Sequence, residues 1–155
     1  MRFCIDYRAL NSVTVRDVYP LPRIEDSLAA LQKGLYFITL DLFLGYWQIP
    51  MDKSFKEKTS FATYSILYKF NEMAFGLTNA PISFQRFIDA TLAELKWSSL
   101  LVYIDDIVVF LPSFEQHFLD LREVLVRLRT ASFQLKPSKC HFYQCKLTYL
   151  GHVVL

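Results

Sequence analysis

The alternation of hydrophobic and polar positions changes period several times along the chain, and each change marks an element. In RIEDSLAALQKG, Ile24, Leu28 and Leu31 fall at the i, i+4, i+7 spacing of a helix, with Gly34 as its stop. LYFITLDL, residues 35–42, is rich in aromatic and β-branched residues and predicts a strand. KTSFAT and LYKFNEM predict a strand pair around a turn near residues 64–66. TNAPISFQRFIDATLAEL predicts a second helix, capped by Asn79 with Pro81 in the first turn, whose apolar face is Phe84, Phe87, Ile88, Leu92 and Leu95. SFEQHFLDLREVLVRLRTAS predicts a long amphipathic helix: Ser113 and Gln116 make a capping box, and Phe118, Leu121, Leu125 and Leu128 form the stripe expected to be buried. Short strands are expected over residues 2–7, 134–136, 141–143 and 147–154.

Between the last two helices lies LLVYIDDIVVFL, residues 100–111, where two greasy runs flank Asp105 and Asp106. The tract is far short of the ~20 apolar residues that cross a bilayer. It predicts a hairpin, with strands over residues 100–104 and 107–111 and an Asp-Asp turn.

From residue 35 onward the order is strand, insertion, helix, strand, strand, helix, strand, which is the β-α-β-β-α-β ferredoxin-like pattern with residues 43–78 inserted after its first strand. In that pattern the first two strands run parallel, so Asp41, at the end of the first, converges with Asp105 and Asp106, just past the end of the second. Clustered carboxylates raise one another's pKa values unless a cation balances them. All-oxygen ligands select a hard ion such as Mg²⁺, and two such ions clamp the oxygens of an in-line phosphoryl transfer.

Composition narrows the picture only modestly. The 155 residues are 53% hydrophobic and 16% aromatic, which excludes a disordered chain, and a net charge of +2 is compatible with nucleic acid without arguing for it. MRFCIDYRAL lacks the apolar stretch of a secretory signal, and three cysteines without framework spacing point to a reducing, intracellular setting. Cys140, His141, Cys145 and His152 do not have zinc-ligand spacing.

With these residues placed, the chain resembles the reverse transcriptases of Ty3/gypsy-type long-terminal-repeat retrotransposons. The resemblance runs along nearly the whole chain through an ordered set: RFCIDYRALN, YPLPRIEDSL, LDLFLGYWQI, KTSFAT, FGLTNAPISFQR, YIDDIVVF, KPSKCHF and YLGHVV. A lone Y-x-D-D is weak; the whole set in order is specific. The fold class this implies is α+β, a polymerase palm with a ferredoxin-like core and a partial fingers insertion. Fingers would occupy residues 1–34 and 43–78, palm 35–42 and 79–146, and the start of the primer grip 147–155.

The resemblance implies RNA-directed DNA polymerase activity, with two Mg²⁺ ions (Mn²⁺ as a substitute) held by Asp41, Asp105 and Asp106. It implies that Tyr46 lies beneath the incoming sugar and excludes a ribose 2′-OH; a core tyrosine is the alternative. Arg2 matches a residue that contacts the triphosphate, or else is a solvated arginine. Phe75 and Gly76 match the floor of the nucleotide pocket, or form a turn before the helix. Lys139 matches a lysine that protonates pyrophosphate, or is simply solvated. Tyr103 belongs to the Y-x-D-D substrate site, and Leu150 and Gly151 match the primer-gripping turn. The implied partners are an RNA or DNA template with its primer and deoxynucleotide triphosphates, with no membrane, in a cytoplasmic particle or the nucleus.

Three departures stand out: Leu44 where the family usually has Ser, Ile66 where a turn Gly is usual, and Met1 where it has Trp. A β-branched residue at 66 is strained if its φ is positive. A fingers lysine before Met1, and thumb, connection, RNase H and integrase regions, are expected elsewhere in a longer polyprotein, so the chain reads as a fragment. The alternatives are a catalytically inactive, decayed or domesticated remnant that binds nucleic acid, a nucleotidyl cyclase on the same topology, and an RNA-binding ferredoxin-like module, the last lacking its aromatic strand motif.

Overall fold

The computed structural model describes residues 4–155, and at 114–117 the backbone alone. Arg2 and the side chain of Gln116 therefore lie outside the described residues. Residues 4–7 are irregular where a strand was expected, and they lead into a short helix α1 (Arg8–Val13). Then follow α2 (Ile24–Leu31), β1 (Tyr36–Asp41), α3 (Lys53–Lys56), the small hairpin β2 (Phe61–Ala62) and β3 (Leu67–Tyr68), and α4 (Ala80–Thr91). The chain continues with β4 (Leu100–Tyr103), β5 (Asp106–Leu111), α5 (Phe114–Thr130), β6 (His141–Gln144), β7 (Leu147–Tyr149) and β8 (His152–Val154).

The main sheet has the order β4-β5-β1-β6. The β4–β5, β5–β1 and β1–β6 pairs are all antiparallel. β1 and β4 therefore point the same way with β5 between them, which is the ferredoxin-like arrangement expected from the element order. Strand period sends Ile38, Leu40, Val102, Ile107 and Val109 to one face, where they meet Phe84, Ile88 and Leu92 of α4 and Val124 and Leu128 of α5. The other face carries Phe37, Leu101, Val108 and Phe110 against α2 and the β7–β8 hairpin. Burial on both faces explains why residues 100–111 read as a continuous greasy run instead of an alternating one.

Several sequence expectations shift by part of a turn. On α5 the buried stripe is Leu121, Val124 and Leu128, while Phe118 and Leu125 are exposed; Phe87 of α4 is exposed too. Asn79 does not cap α4 with its side chain. It accepts from the Asp17 amide and donates to the Val15 carbonyl, tying the segment before α2 to the start of α4. Ile66 has no positive φ; the Thr63 hydroxyl accepts from its amide, and the strain foreseen there falls instead on Leu44, at φ 55°.

Gly34 stands beyond the end of α2, and its φ is not left-handed. It is needed for close approach: an added Cβ would lie 3.0 Å from Phe110 Cβ and 3.2 Å from the Phe37 ring. Gly34→Ala should therefore destabilise the fold by about 1–3 kcal/mol through overpacking, read as a lower urea midpoint at unchanged slope.

Candidate active site

The hairpin closes one residue earlier than its sequence suggests. Tyr103 pairs with Asp106, so the turn is Ile104–Asp105, Asp106 is the first residue of β5, and the positive φ of 55° falls on Ile104 instead of an aspartate. The cause lies in the next strand: Asp106 also pairs with Asp41 at the end of β1, and that register fixes where β5 begins. Asp41 and Asp106 consequently face each other across neighbouring strands. Asp105 projects from the turn near the Gly45 backbone, where a Cβ built on Gly45 would lie 3.7 Å from its own Cβ.

These carboxylates act on one another. Loss of solvent at the strand edge, then the charges of Asp105 and Asp41, push the Asp106 carboxyl above its usual range, with Lys139 opposing them. The Lys139 ammonium lies 2.7 Å from Asp41 Oδ2, and that hydrogen bond raises the lysine's own pKa. The lysine is delivered by the short 3₁₀ turn Pro137–Lys139, anchored where the Lys136 amide donates to the Asp41 carbonyl.

Among the described residues no three or more His, Cys, Asp or Glu side chains are gathered tightly enough to hold a metal ion by themselves. Lys139 engages Asp41 Oδ2. The donor set still fits Mg²⁺, which takes one or two carboxylates and completes its shell with water and substrate phosphates.

Beside the carboxylates is a cavity of about 270 Å³ lined by Asp41, Tyr46, Phe75, Asp105 and Lys139 among others. Tyr46 lies in a 3₁₀ turn, Gly45–Gln48, entered through the left-handed Leu44. Its ring packs 5.1 Å from that of Phe75 and edge-on at 5.4 Å from Phe84, and burial, then the Asp105 charge, hold its phenol above the ordinary value. Gly76, at φ 91°, passes close to the Ile5 carbonyl and Tyr7. It is not among the residues that line the cavity.

Across a second cavity of about 430 Å³, bounded by Asp41, Asp106, Lys139 and His141, stands the β7–β8 hairpin. Tyr149 pairs with His152, and Leu150 and Gly151 between them both have positive φ, 48° and 83°, the signature of a I′ turn. Tyr103 and Leu150 pack at the edge of the same apolar cluster as Tyr149.

Residues 1–154 match the family model described as reverse transcriptase (RNA-dependent DNA polymerase). The chain belongs to the reverse transcriptase family. It is 43% identical over 153 residues to the retrovirus-related Pol polyprotein from transposon opus of Drosophila melanogaster, covering 99% of this chain and 15% of that protein. It is 39% identical to the Pol polyprotein from transposon gypsy of the same organism, with 99% and 15% covered. The Tf2-3 polyprotein of Schizosaccharomyces pombe is 33% identical, with 98% and 11% covered. These relatives are of the Ty3/gypsy type, as the motifs imply, and this chain spans about 15% or less of their length.

Among solved structures, a foamy viral protease-reverse transcriptase in complex with double-stranded DNA superimposes with a TM-score of 0.86 at 24% identity, covering 98% of this chain and 26% of that one. The same enzyme in complex with an RNA/DNA hybrid gives 0.84 at 24%, with 96% and 20% covered. These likenesses establish the fold.

In this reverse transcriptase domain the structure brings Asp41, Tyr46, Phe75, Asp105 and Lys139 around one cavity, and Asp41, Asp106, Lys139 and Leu150 around the other, with Gly151 next to Leu150 in the turn. Sequence reasoning missed Asn11, which donates to the Gly76 carbonyl and accepts from the Thr78 amide. It missed Tyr149 as well, although both lie in quoted motifs; no spacing rule announces a clamp made across 65 residues. Burial pushes the Tyr149 phenol up to about 12. The folded state thus keeps its proton where the unfolded chain, near 10, has lost it. That contribution is present in full below pH 10 and vanishes as pH rises to 12, a loss of about 2–3 kcal/mol that Tyr149→Phe should eliminate in alkaline unfolding curves.

Proposed function

We propose that this chain carries the nucleotidyl-transfer centre of an RNA-directed DNA polymerase within a Ty3/gypsy-type polyprotein. The observation that carries the reading is the cross-strand pairing of Asp41 with Asp106, with Asp105 on the adjoining turn, beside a cavity that also contains Tyr46 and Lys139. Asp41, Asp105 and Asp106 would hold two Mg²⁺ ions, or Mn²⁺, whose positive charge would lower the pKa of a primer 3′-OH and neutralise the triphosphate. Residues 1–34 and 43–78 would serve as fingers, 35–42 and 79–146 as palm, and 147–155 as the start of the primer grip.

The chain's own residues supply the remainder. The primer 3′-OH, presented from the Leu150–Gly151 turn, gives up its proton to solvent, and its oxygen forms a bond to the α-phosphorus as the bond from that phosphorus to the α–β bridging oxygen breaks. Pyrophosphate leaves with that electron pair and takes a proton from the Lys139 ammonium, which must first part from Asp41. The Tyr46 ring, held between Phe75 and Phe84, occupies the space a 2′-OH would need. Template, primer and the other polyprotein regions are partners under this reading.

A second reading, a nucleic-acid-binding remnant without catalysis, is favoured by Leu44, which pays for the left-handed entry to the Tyr46 turn with backbone strain of about 1–2 kcal/mol. Mn²⁺ binding followed by electron paramagnetic resonance separates the two. The catalytic reading expects weak binding to the chain alone and marked tightening when a deoxynucleotide triphosphate is added. Equal affinity with and without nucleotide would favour the remnant.

A further inference from the structure

Behind the aspartate turn lies a buried polar network that the chemistry described above does not use. Gln85, on α4, is fully buried. Its Oε1 accepts from the Ile104 amide at 2.6 Å, while its Nε2 donates to Asp89 Oδ1 at 2.9 Å and to the Val102 carbonyl at 3.2 Å. Asp89, one helical turn further along α4, is 8% exposed. Its other oxygen accepts from the Tyr19 hydroxyl at 2.8 Å and the Lys96 ammonium at 2.5 Å.

Donor and acceptor counts leave one arrangement. Asp89 and the Val102 carbonyl can only accept, so both must face the amide nitrogen of Gln85, which aims its oxygen at the Ile104 amide. Asp89 is itself fixed as an acceptor by the hydroxyl and the ammonium on its far side.

We infer that Gln85, oriented by Asp89, is a positioning residue that clamps the Ile104 turn and thereby sets where Asp105 and Asp106 stand. Ile104 is β-branched, yet it has a φ of 55° at the first position of a two-residue hairpin turn, where Gly is usual. That conformation costs about 1–2 kcal/mol and persists only where surrounding structure holds it. The Gln85 bond falls on the strained residue itself, one peptide before Asp105. A turn that relaxed toward negative φ would splay the strands and rotate both carboxylates out of register with Asp41. The effect on metal rests on the proposed role of these aspartates; the clamp on the turn does not.

The test uses the ¹⁵N-labelled chain and three variants: Gln85→Met, which keeps the side-chain length without hydrogen bonds, Gln85→Glu, and Gln85→Glu combined with Asp89→Asn. In the parent the Ile104 amide should exchange slowly with solvent. Gln85→Met and Gln85→Glu should speed that exchange by about tenfold or more, with the β5 amides from Ile107 to Val109 still protected. Ionised Gln85→Glu sets acceptor against acceptor at both Asp89 and the Val102 carbonyl; adding Asp89→Asn supplies a donor at the first of these and should restore part of the slow exchange.

Mn²⁺ affinity in the presence of a deoxynucleotide triphosphate should fall by about 10- to 100-fold in the single variants and recover in part in the double. Fast Ile104 exchange in the parent, or exchange unchanged by the single variants, would overturn the clamp. Faster exchange with unaltered Mn²⁺ affinity would reduce Gln85 to a structural residue and overturn the positioning role. A parent that binds no Mn²⁺ even with nucleotide would instead overturn the proposed function, while the exchange data still decide the clamp. Should Gln85→Met fail to fold, the Gln85→Glu and double-variant pair carries the same decision.

Discussion

Asp106→Asn should abolish the tightening of Mn²⁺ by deoxynucleotide triphosphate and, in an active enzyme, lower nucleotide transfer by about 10²–10³-fold or more, while the metal-free fold becomes slightly more stable. The opposite signs follow from one fact: Asp106 faces Asp41 across the strands and adjoins Asp105. Without a counter-ion that arrangement is repulsive, and loss of solvent together with the two neighbouring charges raises the Asp106 pKa despite Lys139. A carboxyl with a raised folded pKa penalises the fold only when ionised. The penalty is absent below the ordinary aspartate value and complete once pH exceeds the raised one. The parent should therefore gain stability on acidification through that window, and the variant should lack that gain. The edge is partly solvated, so the benefit at neutral pH is at most ~1 kcal/mol. Thermal unfolding and Mn²⁺ titration measured together distinguish this outcome from simple misfolding, which lowers both. Unchanged nucleotide-dependent Mn²⁺ binding would remove Asp106 from the site.

Tyr46→Val, in a polymerase-competent context, should raise ribonucleotide incorporation relative to deoxynucleotide by about 10²-fold. A ring excludes a hydroxyl only if it cannot swing aside. Phe75 at 5.1 Å and Phe84 at 5.4 Å hold it from two sides, and Gly45 beside it admits no Cβ without crowding the Phe84 ring at 3.3 Å. Tyr46→Phe keeps the ring and should keep the discrimination, which separates a steric role from a hydrogen bond through the phenol. If Tyr46→Val leaves the ratio of the two kcat/KM values unchanged, the tyrosine is a core residue and the nucleotide lies elsewhere.

The sheet order was legible from element order alone, because a β-α-β-β-α-β chain has few ways to bury both faces of its sheet. The convergence of Asp41 with the Asp105–Asp106 pair followed from that order before any distance was known. Local detail was not legible. Ile104, which no propensity scale would place at positive φ, takes the turn position because the pairing of Asp106 with both Tyr103 and Asp41 leaves no other register. The buried stripe of α5 drifted from Phe118 and Leu125 to Val124 because apolar residues lie on more than one side of that helix, and only the sheet decides which side is covered. Ile66 was suspected of strain that Leu44 carries instead. The Lys139–Asp41 contact joins positions 98 residues apart, and sequence spacing carries no trace of it.

The most direct test is single-nucleotide primer extension by a gypsy-type reverse transcriptase in which residues 1–154 of this chain replace the matching segment, with the Asp105→Asn version alongside. Addition of one complementary deoxynucleotide with release of pyrophosphate, dependent on Mg²⁺ or Mn²⁺ and lost in Asp105→Asn, is the predicted result. A folded, primer-binding chimera that adds no nucleotide, or one that still extends the primer with Asp105→Asn, would contradict the assignment of this strand edge as the transfer centre.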